Sequence, residues 1–514
     1  MLIKTFGSAV FGVDAITITV EVDVNNQGKN YFIVGLPDNA IKESLQRVES
    51  AVKSNDYYMP RTKLLVNLAP ADIKKTGTAF DLPIAIGTLA ATGQLNETDI
   101  LMKYVIMGEL SLDGIIKPIK GALPIAIQAK KENFEGLIVP ASNAKEAAMV
   151  EGLNVYGVAH INDVVDFFSG KKTINPTTVN VKNEFLMAQG NDDIDFCDVK
   201  GQQNIKRALE IAAAGGHNAI LIGPPGAGKT MLAKRLPTIL PPLSLNEALE
   251  TTKIHSVAGK MPEHATIVSK RPFRSPHHSI SDAALVGGGG NPQPGEISLA
   301  HNGVLFLDEL PEFKRTVLEV MRQPMEERKV TISRARIALD FPASFMLIAS
   351  MNPCPCGYFN HPEKECSCPP GMVQKYLNKV SGPLLDRIDL HVEVTPVAFD
   401  ELSMVHAAEK SESIRSRVIK AREIQAERFS IRDAVYANAQ MSSKMLKEIC
   451  FIDENSKKML KSAMEKLNLS ARAYDRIIKV SRTIADLDNS NNIKTEHLAE
   501  AIHYRSLDRE HWGG

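Results

Sequence analysis

Apolar and polar positions alternate strictly near the start of the chain. From residue 16 to residue 24 every second position is Ile or Val, and Thr, Glu or Asp stands between them. A period of two is typical of a half-buried β-strand. The polar segment 25–28, which ends in Gly28, predicts a turn that folds this strand back onto residues 31–34 as a hairpin.

The pattern then changes between helix and strand up to residue 169. Apolar residues recur at helical spacing between 41 and 52, a short apolar run occupies 64–68, and small residues fill 81–91. These features predict a helix, a buried strand and a second helix, and hence an α+β domain over residues 1–169. The stretch 170–193 is rich in Lys, Asn, Thr and Gln, which predicts a linker.

Apolar strands and helices alternate through residues 194–396. Runs at 219–222, 304–307 and 345–349 predict buried strands, with helical patterns between them. This order favours a mainly parallel sheet with helices on both faces, which is a three-layer αβα domain. The remaining residues, 397–514, have a helical pattern throughout. We therefore expect an α/β protein with a C-terminal helical domain.

Composition excludes several classes of protein. The 60 basic and 60 acidic side chains cancel, so binding of a polyanion would need a local basic cluster. No apolar run approaches the ~20 residues that span a bilayer, and the N-terminus lacks a signal-peptide cleavage pattern. Four of the six cysteines are clustered, unlike a secreted disulfide framework. We therefore expect a cytoplasmic protein with no membrane partner.

A phosphate-binding motif follows the first buried strand of the second block. It matches G-x-x-x-x-G-K-[ST] in full, with the residues Gly223, Pro224, Pro225, Gly226, Ala227, Gly228, Lys229 and Thr230. Between strand and helix, such glycines let backbone N–H groups surround phosphates. Lys229 would neutralise the β- and γ-phosphate oxygens, and the Thr230 hydroxyl would bind Mg²⁺. The motif predicts an ATP–Mg²⁺ site; a plain glycine-rich turn is the alternative.

Two further strands end in polar residues suited to the same site. Asp308 and Glu309 follow the apolar run 304–307, at the carboxyl end of a strand, where ligands bind in open α/β sheets. We expect Asp308 to hold Mg²⁺ and Glu309 to act as general base on the attacking water. The alternative is a carboxylate pair that caps the next helix. Asn352 is predicted to contact the γ-phosphate, with an amide satisfied by the backbone as the alternative.

These motifs, in this order, resemble an AAA+ ATPase module. The resemblance implies that Asn352 is the first sensor, that Arg387 is an arginine finger for a neighbouring subunit, and that Arg472 is the second sensor. An arginine finger supplied in trans implies a ring of identical subunits, expected to be a hexamer. From the residues alone, Arg387 is also compatible with a surface ion pair, and Arg472 with a solvated helix face.

Residues 327–336 predict a hairpin that carries four cations just before the sensor strand. With the preceding segment 271–303, it resembles the Mg-chelatase and replicative-helicase branch of AAA+ proteins, in which this hairpin points into the ring pore. The resemblance implies that Lys329, Arg334 and Arg336 meet a DNA backbone without reading its sequence. An exposed basic hairpin with no ligand remains the alternative.

Segments 198–202 and 213–218, together with these motifs, resemble the ComM (YifB) family over nearly the whole chain. The resemblance implies an ATP-driven DNA helicase or branch-migration translocase in natural transformation or recombination. It implies single-stranded, forked or branched DNA and further copies of the chain as partners, with recombination proteins as additional candidates. A chaperone-like remodeller and a chelatase-type motor subunit for metal-cofactor assembly stay open as alternatives.

The segment 354–368 contains four cysteines in the spacing C-x-C-x₉-C-x-C, namely Cys354, Cys356, Cys366 and Cys368. Four thiols so arranged can close a tetrahedral structural Zn²⁺ site, with His361 as a reserve ligand. Because C-x-C is tighter than the usual C-x₂-C, free or redox-active thiols and unrelated buried cysteines remain alternatives.

Residues 1–169 resemble the C-terminal fold of Lon proteases, which is related to a domain of ribosomal protein S5 and is also found in RadA. The segments 75–82 and 108–123 carry this resemblance. It places Thr78 at the position of the Lon nucleophile and Leu123 at that of the general-base lysine. Because Leu123 cannot accept a proton, we expect DNA binding or ring organisation here rather than peptidase activity.

Overall fold

The structure of the 514-residue chain is a computed structural model. It describes residues 1–25, 28, 30–96, 98–188, 194–262, 265–289, 292–334, 337–361, 363–369, 371–396, 409–430, 435–467 and 469–505, and of residues 334 and 337 the backbone alone. No helix within these ranges is long and apolar enough to span a bilayer.

The first part of the chain forms a seven-stranded mixed sheet in the order β3-β4-β2-β1-β5-β8-β9. Its strands, with the separate two-stranded ribbon β6-β7, are β1 (Leu2–Phe11), β2 (Asp14–Asn25), β3 (Tyr31–Val34), β4 (Lys63–Ala69), β5 (Tyr104–Ile106), β6 (Glu109–Leu110), β7 (Ile116–Lys117), β8 (Gly136–Pro140) and β9 (Asn154–Val158). The helices are α1 (Asn39–Lys42), α2 (Ser44–Ser54), α3 (Asp81–Ala91), α4 (Ala122–Lys131), α5 (Ala141–Ala147), α6 (Ile161–Phe168) and α7 (Val181–Ala188).

Strand β2 confirms the alternating pattern but not the predicted hairpin. Ile18, Val20 and Val22 are fully buried, and the residues between them are partly exposed. Both edges of β2 are occupied by antiparallel partners, β1 and β4. The short strand β3 therefore pairs with the outer edge of β4, in parallel, and the prediction that it returns onto β2 is wrong. The hairpin partner of β2 is the strand before it.

The small residues of α3 allow the helix to lie directly on the sheet. Every residue of α3 is buried. A Cβ on Gly87 would lie 2.7 Å from Val22 Cγ2, so this position needs glycine for the close approach. The helix predicted over 81–91 is confirmed, and it provides the core of this part of the chain.

The predicted linker 170–193 contains the helix α7. Val181, its first residue, is buried in an apolar cluster with Leu123 of α4 and Leu243. The cluster takes residues from both sides of the segment. The segment therefore packs against the parts of the chain that it connects.

The second part contains a five-stranded parallel sheet in the order β11-β14-β17-β10-β18. The strands of this part are β10 (Ala219–Ile222), β11 (Phe273–Arg274), β12 (Gly287–Gly288), β13 (Gln293–Pro294), β14 (Val304–Leu307), β15 (Lys329–Arg334), β16 (Ile337–Pro342), β17 (Met346–Met351) and β18 (Leu390–Glu393). Its helices are α8 (Gln203–Gly215), α9 (Lys229–Arg235), α10 (Leu245–Ala258), α11 (Asp282–Val286), α12 (Glu296–Leu299), α13 (Arg315–Val320), α14 (Arg322–Glu327), α15 (Met372–Leu377) and α16 (Gly382–Leu385). The predicted parallel arrangement is confirmed.

The described residues of the last part form helices joined by short loops, with no β-strand among them. Its helices are α17 (Ser411–Phe429), α18 (Ser443–Ile449), α19 (Glu454–Lys466), α20 (Ala471–Leu487) and α21 (Thr495–His503). The apolar faces of α17 and α20 share one buried cluster with α8 and the inner strand β10. These helices are thus packed on the parallel sheet rather than separate from it.

Candidate nucleotide-binding site

The loop between β10 and α9 has a backbone shaped by its glycines. Gly226 and Gly228 have φ angles of 79° and 80°, in the left-handed region that glycine adopts without strain. A Cβ on Gly226 would meet no atom within 4 Å, so the loop is open on that side. Gln202 Nε2 donates to the carbonyl oxygen of Ala227 at 2.7 Å and fixes the loop from the other side.

Lys229 is buried at the base of this loop. Its Nζ donates to the carbonyl oxygens of Gly223 at 2.6 Å and Pro224 at 2.9 Å, and to Asn352 Oδ1 at 3.1 Å. Burial lowers the pKa of Lys229 to about 8. A buried ammonium held only by neutral oxygens is stabilised by an anion brought beside it, so the site fits phosphate. The structure brings Lys229 and Asn352 together, as the sequence predicts.

Thr230 and Asp308 also meet at this edge of the sheet. Thr230 Oγ1 donates to Asp308 Oδ2 at 2.7 Å. The other carboxylate oxygen of Asp308 accepts from the hydroxyl of Ser350. A hydroxyl and a carboxylate beside a phosphate-binding loop are oxygen ligands of the kind that Mg²⁺ prefers, so these residues fit the predicted ion.

Ser350 is a site residue that the sequence analysis missed. It lies within the apolar strand β17, where a single Ser is easily taken for a structural residue. The available signal was its spacing from Asn352, because residues two apart in a strand point to the same face. Ser350 orients the carboxylate of Asp308 and lies 3.4 Å from the backbone N of Glu309.

Glu309 turns away from the strand that precedes it. Its φ of 54° places a non-glycine residue in the left-handed region, which is uncommon and often marks a functional position. The side chain is 59% exposed, and its Oε2 lies 3.9 Å from Nδ1 of His278. His278 packs against the ring of His277 at 4.1 Å between centroids. The sequence motifs assign no role to this imidazole.

The two arginines predicted to complete the site lie in different environments. The side chain of Arg387 is 6% exposed, and its Nη2 is 2.8 Å from Glu326 Oε1. A finger for a neighbouring subunit must present its guanidinium outward, so Arg387 would have to leave this pair to do so. Arg472 is exposed in the first turn of α20. Both roles remain predictions.

The predicted hairpin is present as β15 and β16, which pair antiparallel from Lys329 opposite Pro342 to Arg334 opposite Ile337. Val330 and Phe341 are buried on its inner face. This apolar face, rather than the cations, attaches the hairpin to the body of the protein.

Two cations of the hairpin region have surroundings that the sequence pattern does not reveal. Lys329 Nζ lies 2.8 Å from Asp340 Oδ2 on the opposite strand, so its charge is offset. Arg328 precedes β15, and burial lowers its pKa to about 10. Arg336 and the side chain of Arg334 lie outside the described residues. All four residues remain cations at neutral pH, and DNA contact by Lys329, Arg334 and Arg336 remains a prediction.

The clustered cysteines converge in the loop that follows Asn352. The Sγ atoms of Cys354, Cys356, Cys366 and Cys368 all lie within 4.8 Å of one another. His361, the predicted reserve ligand, uses Nδ1 to accept the backbone N–H groups of Glu363 and Lys364 at 3.0 and 3.1 Å. The structure thus groups the four thiols and leaves His361 to stabilise its own loop.

In the first part of the chain, Leu123 has a packing role. It is 2% exposed, in the apolar cluster that joins α4 to α10. The Thr78 hydroxyl donates to the carboxylate of Glu109. The amino group of Lys75 is buried and bonded to the backbone carbonyl oxygens of Gly35 and Pro70. The absence of a peptidase activity remains a prediction.

A strand–loop–helix motif with Lys229 and Thr230 faces Asp308 at the end of β14, which is separated from β10 by β17 in the same parallel sheet. This arrangement defines the protein as a P-loop protein of the α/β class. Three magnesium chelatase profiles match the chain: "Magnesium chelatase, subunit ChlI" over 195–402, "Subunit ChlI of Mg-chelatase" over 20–143, and "Magnesium chelatase, subunit ChlI C-terminal" over 408–505.

Relatives match over almost the full length. Competence protein ComM of Haemophilus influenzae is 44% identical over 506 residues, which are 98% of this chain and 97% of that protein. The uncharacterized protein YifB of Escherichia coli is 43% identical over 507 residues, covering 98% of this chain and 96% of that protein. The chain therefore belongs to the ComM (YifB) family of magnesium-chelatase-like AAA+ proteins, as its sequence motifs predict.

Two shorter similarities agree with the resemblance to Lon and RadA. Lon protease 2 of Bacillus subtilis is 32% identical over 154 residues, which are 27% of this chain and 26% of that protein. DNA repair protein RadA of Escherichia coli is 31% identical over 96 residues, or 19% of this chain and 20% of that protein.

Proposed function

We propose that this protein is an ATP-hydrolysing ring motor that moves DNA, and specifically a hexameric helicase or branch-migration translocase acting in transformation or recombination. One observation carries the ATPase part: the contacts of Lys229 with Asn352 and of Thr230 with Asp308 lie side by side at the carboxyl edge of the parallel sheet. The AAA+ family supports ATP and Mg²⁺ as cofactors.

Each residue of the site has a distinct task in hydrolysis. Thr230 and Asp308 would hold Mg²⁺, which would supply positive charge to neutralise the phosphates. Lys229 would exchange its carbonyl partners for phosphate oxygens. Glu309 would take the proton of the attacking water, and Asn352 would orient that water beside the γ-phosphate.

The architecture fits this assignment. We assign residues 1–169 to a Lon-like domain, 170–193 to the connecting segment, 194–396 to the AAA+ core and 397–514 to the helical lid. The five-stranded parallel sheet and the helices packed on it support the core and the lid. A ring with Arg387 acting in trans, and Arg472 as second sensor, completes the proposal.

The proposal of DNA as substrate rests on the family and on the hairpin. The relatives include proteins named for competence and for DNA repair. A remodeller of polypeptides would be expected to grip its client with exposed aromatic pore residues. The aromatic residue of this hairpin, Phe341, is buried. Its sequence also contains the cations Arg334 and Arg336. This favours a phosphate backbone over a peptide.

The experiment is the rate of ATP hydrolysis by the full chain with and without single-stranded and forked DNA. We expect DNA to raise the rate of ATP hydrolysis, and the double variant Arg334→Ala, Arg336→Ala to lose that rise. The variant should also bind DNA with a weaker dependence on salt concentration. The decrease should correspond to about one phosphate contact for each cation removed from each engaged subunit. Lys329→Ala combined with Asp340→Asn is the matched control, with a smaller loss because the two changes together remove a pair with no net charge.

Two results would contradict the DNA part. The first is a wild-type rate that no DNA structure changes. The second is a double variant that binds DNA as tightly as the wild type. Stimulation by a protein client instead of DNA would favour the chaperone-like remodeller.

A further inference from the structure

The four clustered thiols have the spacing of a single metal ion's ligands. With a Zn–S bond of about 2.3 Å, a tetrahedral site has S–S edges of about 3.8 Å. The Sγ–Sγ distances are 3.3 Å for Cys354–Cys356, 3.7 Å for Cys354–Cys366 and 3.5 Å for Cys356–Cys366. A disulfide would bring one pair to about 2.05 Å and leave the others apart. The arrangement is a group of four rather than two pairs.

The surroundings of Cys354 suit a bound thiolate. Its Sγ accepts the backbone N–H of Phe359 at 3.3 Å, the kind of outer contact that orients a metal ligand. A tight turn with Gly357 at φ 84° brings Cys356 back beside Cys354. Four soft sulfur ligands in a tetrahedron select zinc or iron–sulfur sites. An iron–sulfur cluster divides its four cysteines between two or four iron atoms and would spread the sulfurs further, so the spacing favours a single ion. Four thiolates around one ion are a common ligand set of structural zinc.

The same turn lies against the phosphate-binding loop. A Cβ on Gly357 would be 2.5 Å from Cδ of Pro225, so the two loops are in direct contact. They also line one cavity, with Gly223 and Pro224 on one side and Gly357 and Phe359 on the other. The ATP-site residue Asn352 is two residues from Cys354.

From these contacts we propose that Cys354, Cys356, Cys366 and Cys368 hold one structural zinc ion, which fixes the position of Pro225 and Asn352 at the ATP site. The effect on Pro225 and Asn352 rests on the proposed function, whereas the zinc site itself does not. Loss of the ion would release the turn and misalign the loop that receives the phosphates.

Zinc content of the purified full chain tests the site. We expect about one zinc per chain in the wild type and less than roughly a tenth of that in Cys366→Ser. Cys450→Ser is the matched control because Cys450 lies outside the cluster, and burial raises its pKa to about 11, so that it stays a neutral thiol. A wild type without zinc, or Cys366→Ser that keeps it, overturns the site.

ATP affinity, measured by calorimetry on the same proteins, tests the coupling. We expect Cys366→Ser to bind ATP roughly tenfold more weakly, because a displaced loop misplaces the groups that bind phosphate. Cys450→Ser should bind as the wild type does. A zinc-free Cys366→Ser protein that is folded by circular dichroism and binds ATP normally overturns the coupling.

A second measurement covers the case in which Cys366→Ser does not fold. Titrating the wild type with an organic mercurial should release one zinc for about four thiols modified. Release of none overturns the site. A wild type that contains zinc but binds no ATP would overturn the proposed function while supporting the metal site.

Discussion

Arg476 of the C-terminal helices lies 2.8 Å from Asp389, the residue that precedes the last strand of the parallel sheet. The carboxylate is fully buried, and the side chain of Arg476 is largely so. Burial alone would raise the pKa of Asp389, but Arg476 and His217 outweigh it and hold the pKa well below its usual range. This buried ion pair is thus one of the contacts that join the C-terminal helices to the parallel sheet.

Asp389→Asn should lower the free energy of unfolding by about 3 kcal/mol at neutral pH, because it leaves Arg476 without a partner in a mostly buried place. Since the folded-state pKa of Asp389 is depressed, this contribution is present above about pH 4 and lost as the pH falls further. Urea unfolding from pH 3 to pH 7 measures it. Glu454→Gln, which breaks an exposed pair with Lys457, should change stability by less than about 0.5 kcal/mol. Equal stability of Asp389→Asn and wild type would contradict the account.

Glu146 lies at the contact between the first part of the chain and α10. Its carboxylate accepts from the backbone N of Leu123 at 2.9 Å and from the Ser256 hydroxyl at 2.5 Å. Burial raises the pKa of Glu146. A carboxyl group with a raised folded-state pKa contributes stability below its unfolded pKa of about 4.3, which is lost as the pH rises through the folded value.

Glu146→Gln should therefore remove this pH dependence, so that its stability relative to wild type increases from about pH 4 towards neutrality. Glu146→Ala should cost about 1–3 kcal/mol at any pH, because Leu123 N and Ser256 lose their acceptor. Thermal unfolding at several pH values measures both effects. If the stability of the Gln variant and that of the wild type changed with pH in the same way, Glu146 would not titrate in this range.

Arg387→Ala should bind ATP without hydrolysing it if Arg387 reaches a neighbouring subunit. Mixing it with Lys229→Ala should restore part of the activity, because some interfaces then join an intact phosphate loop to an intact Arg387. Glu326→Gln separates this role from a structural one. If Arg387 only stabilises its own chain through Glu326, that variant should lose as much activity as Arg387→Ala. Mixed rings that form but stay inactive at every ratio would refute the trans role.

Local patterns in the sequence predict much of this structure. The alternation around Val20 predicts β2, and the contiguous motif at 223–230 predicts the phosphate loop, because each depends only on near neighbours. Asp308 and Asn352 were also predicted, since both directly follow apolar strands whose carboxyl ends meet in a parallel sheet.

Contacts between distant residues were not predictable in the same way. Strand register and side-chain packing decide three features. They are the pairing of β3 with β4, the ion pair of Lys329 with Asp340, and the burial of Arg387 beside Glu326. Leu123 is the clearest case. The sequence alone shows that this position has no lysine to act as a base. Only the folded chain shows that Leu123 packs in the apolar cluster beside α10.

In the proposed mechanism Lys229, Thr230 and Asp308 bind ATP–Mg²⁺ while Glu309 activates water. The most direct measurement compares ATP affinity and turnover in Glu309→Gln and wild type, with Glu312→Gln as the control on a nearby carboxylate that pairs with Lys379 instead. We expect Glu309→Gln to bind ATP normally and turn over at least ~100-fold more slowly, as the loss of a general base requires. Turnover close to that of the wild type, with the Glu312→Gln control unchanged, would contradict the account.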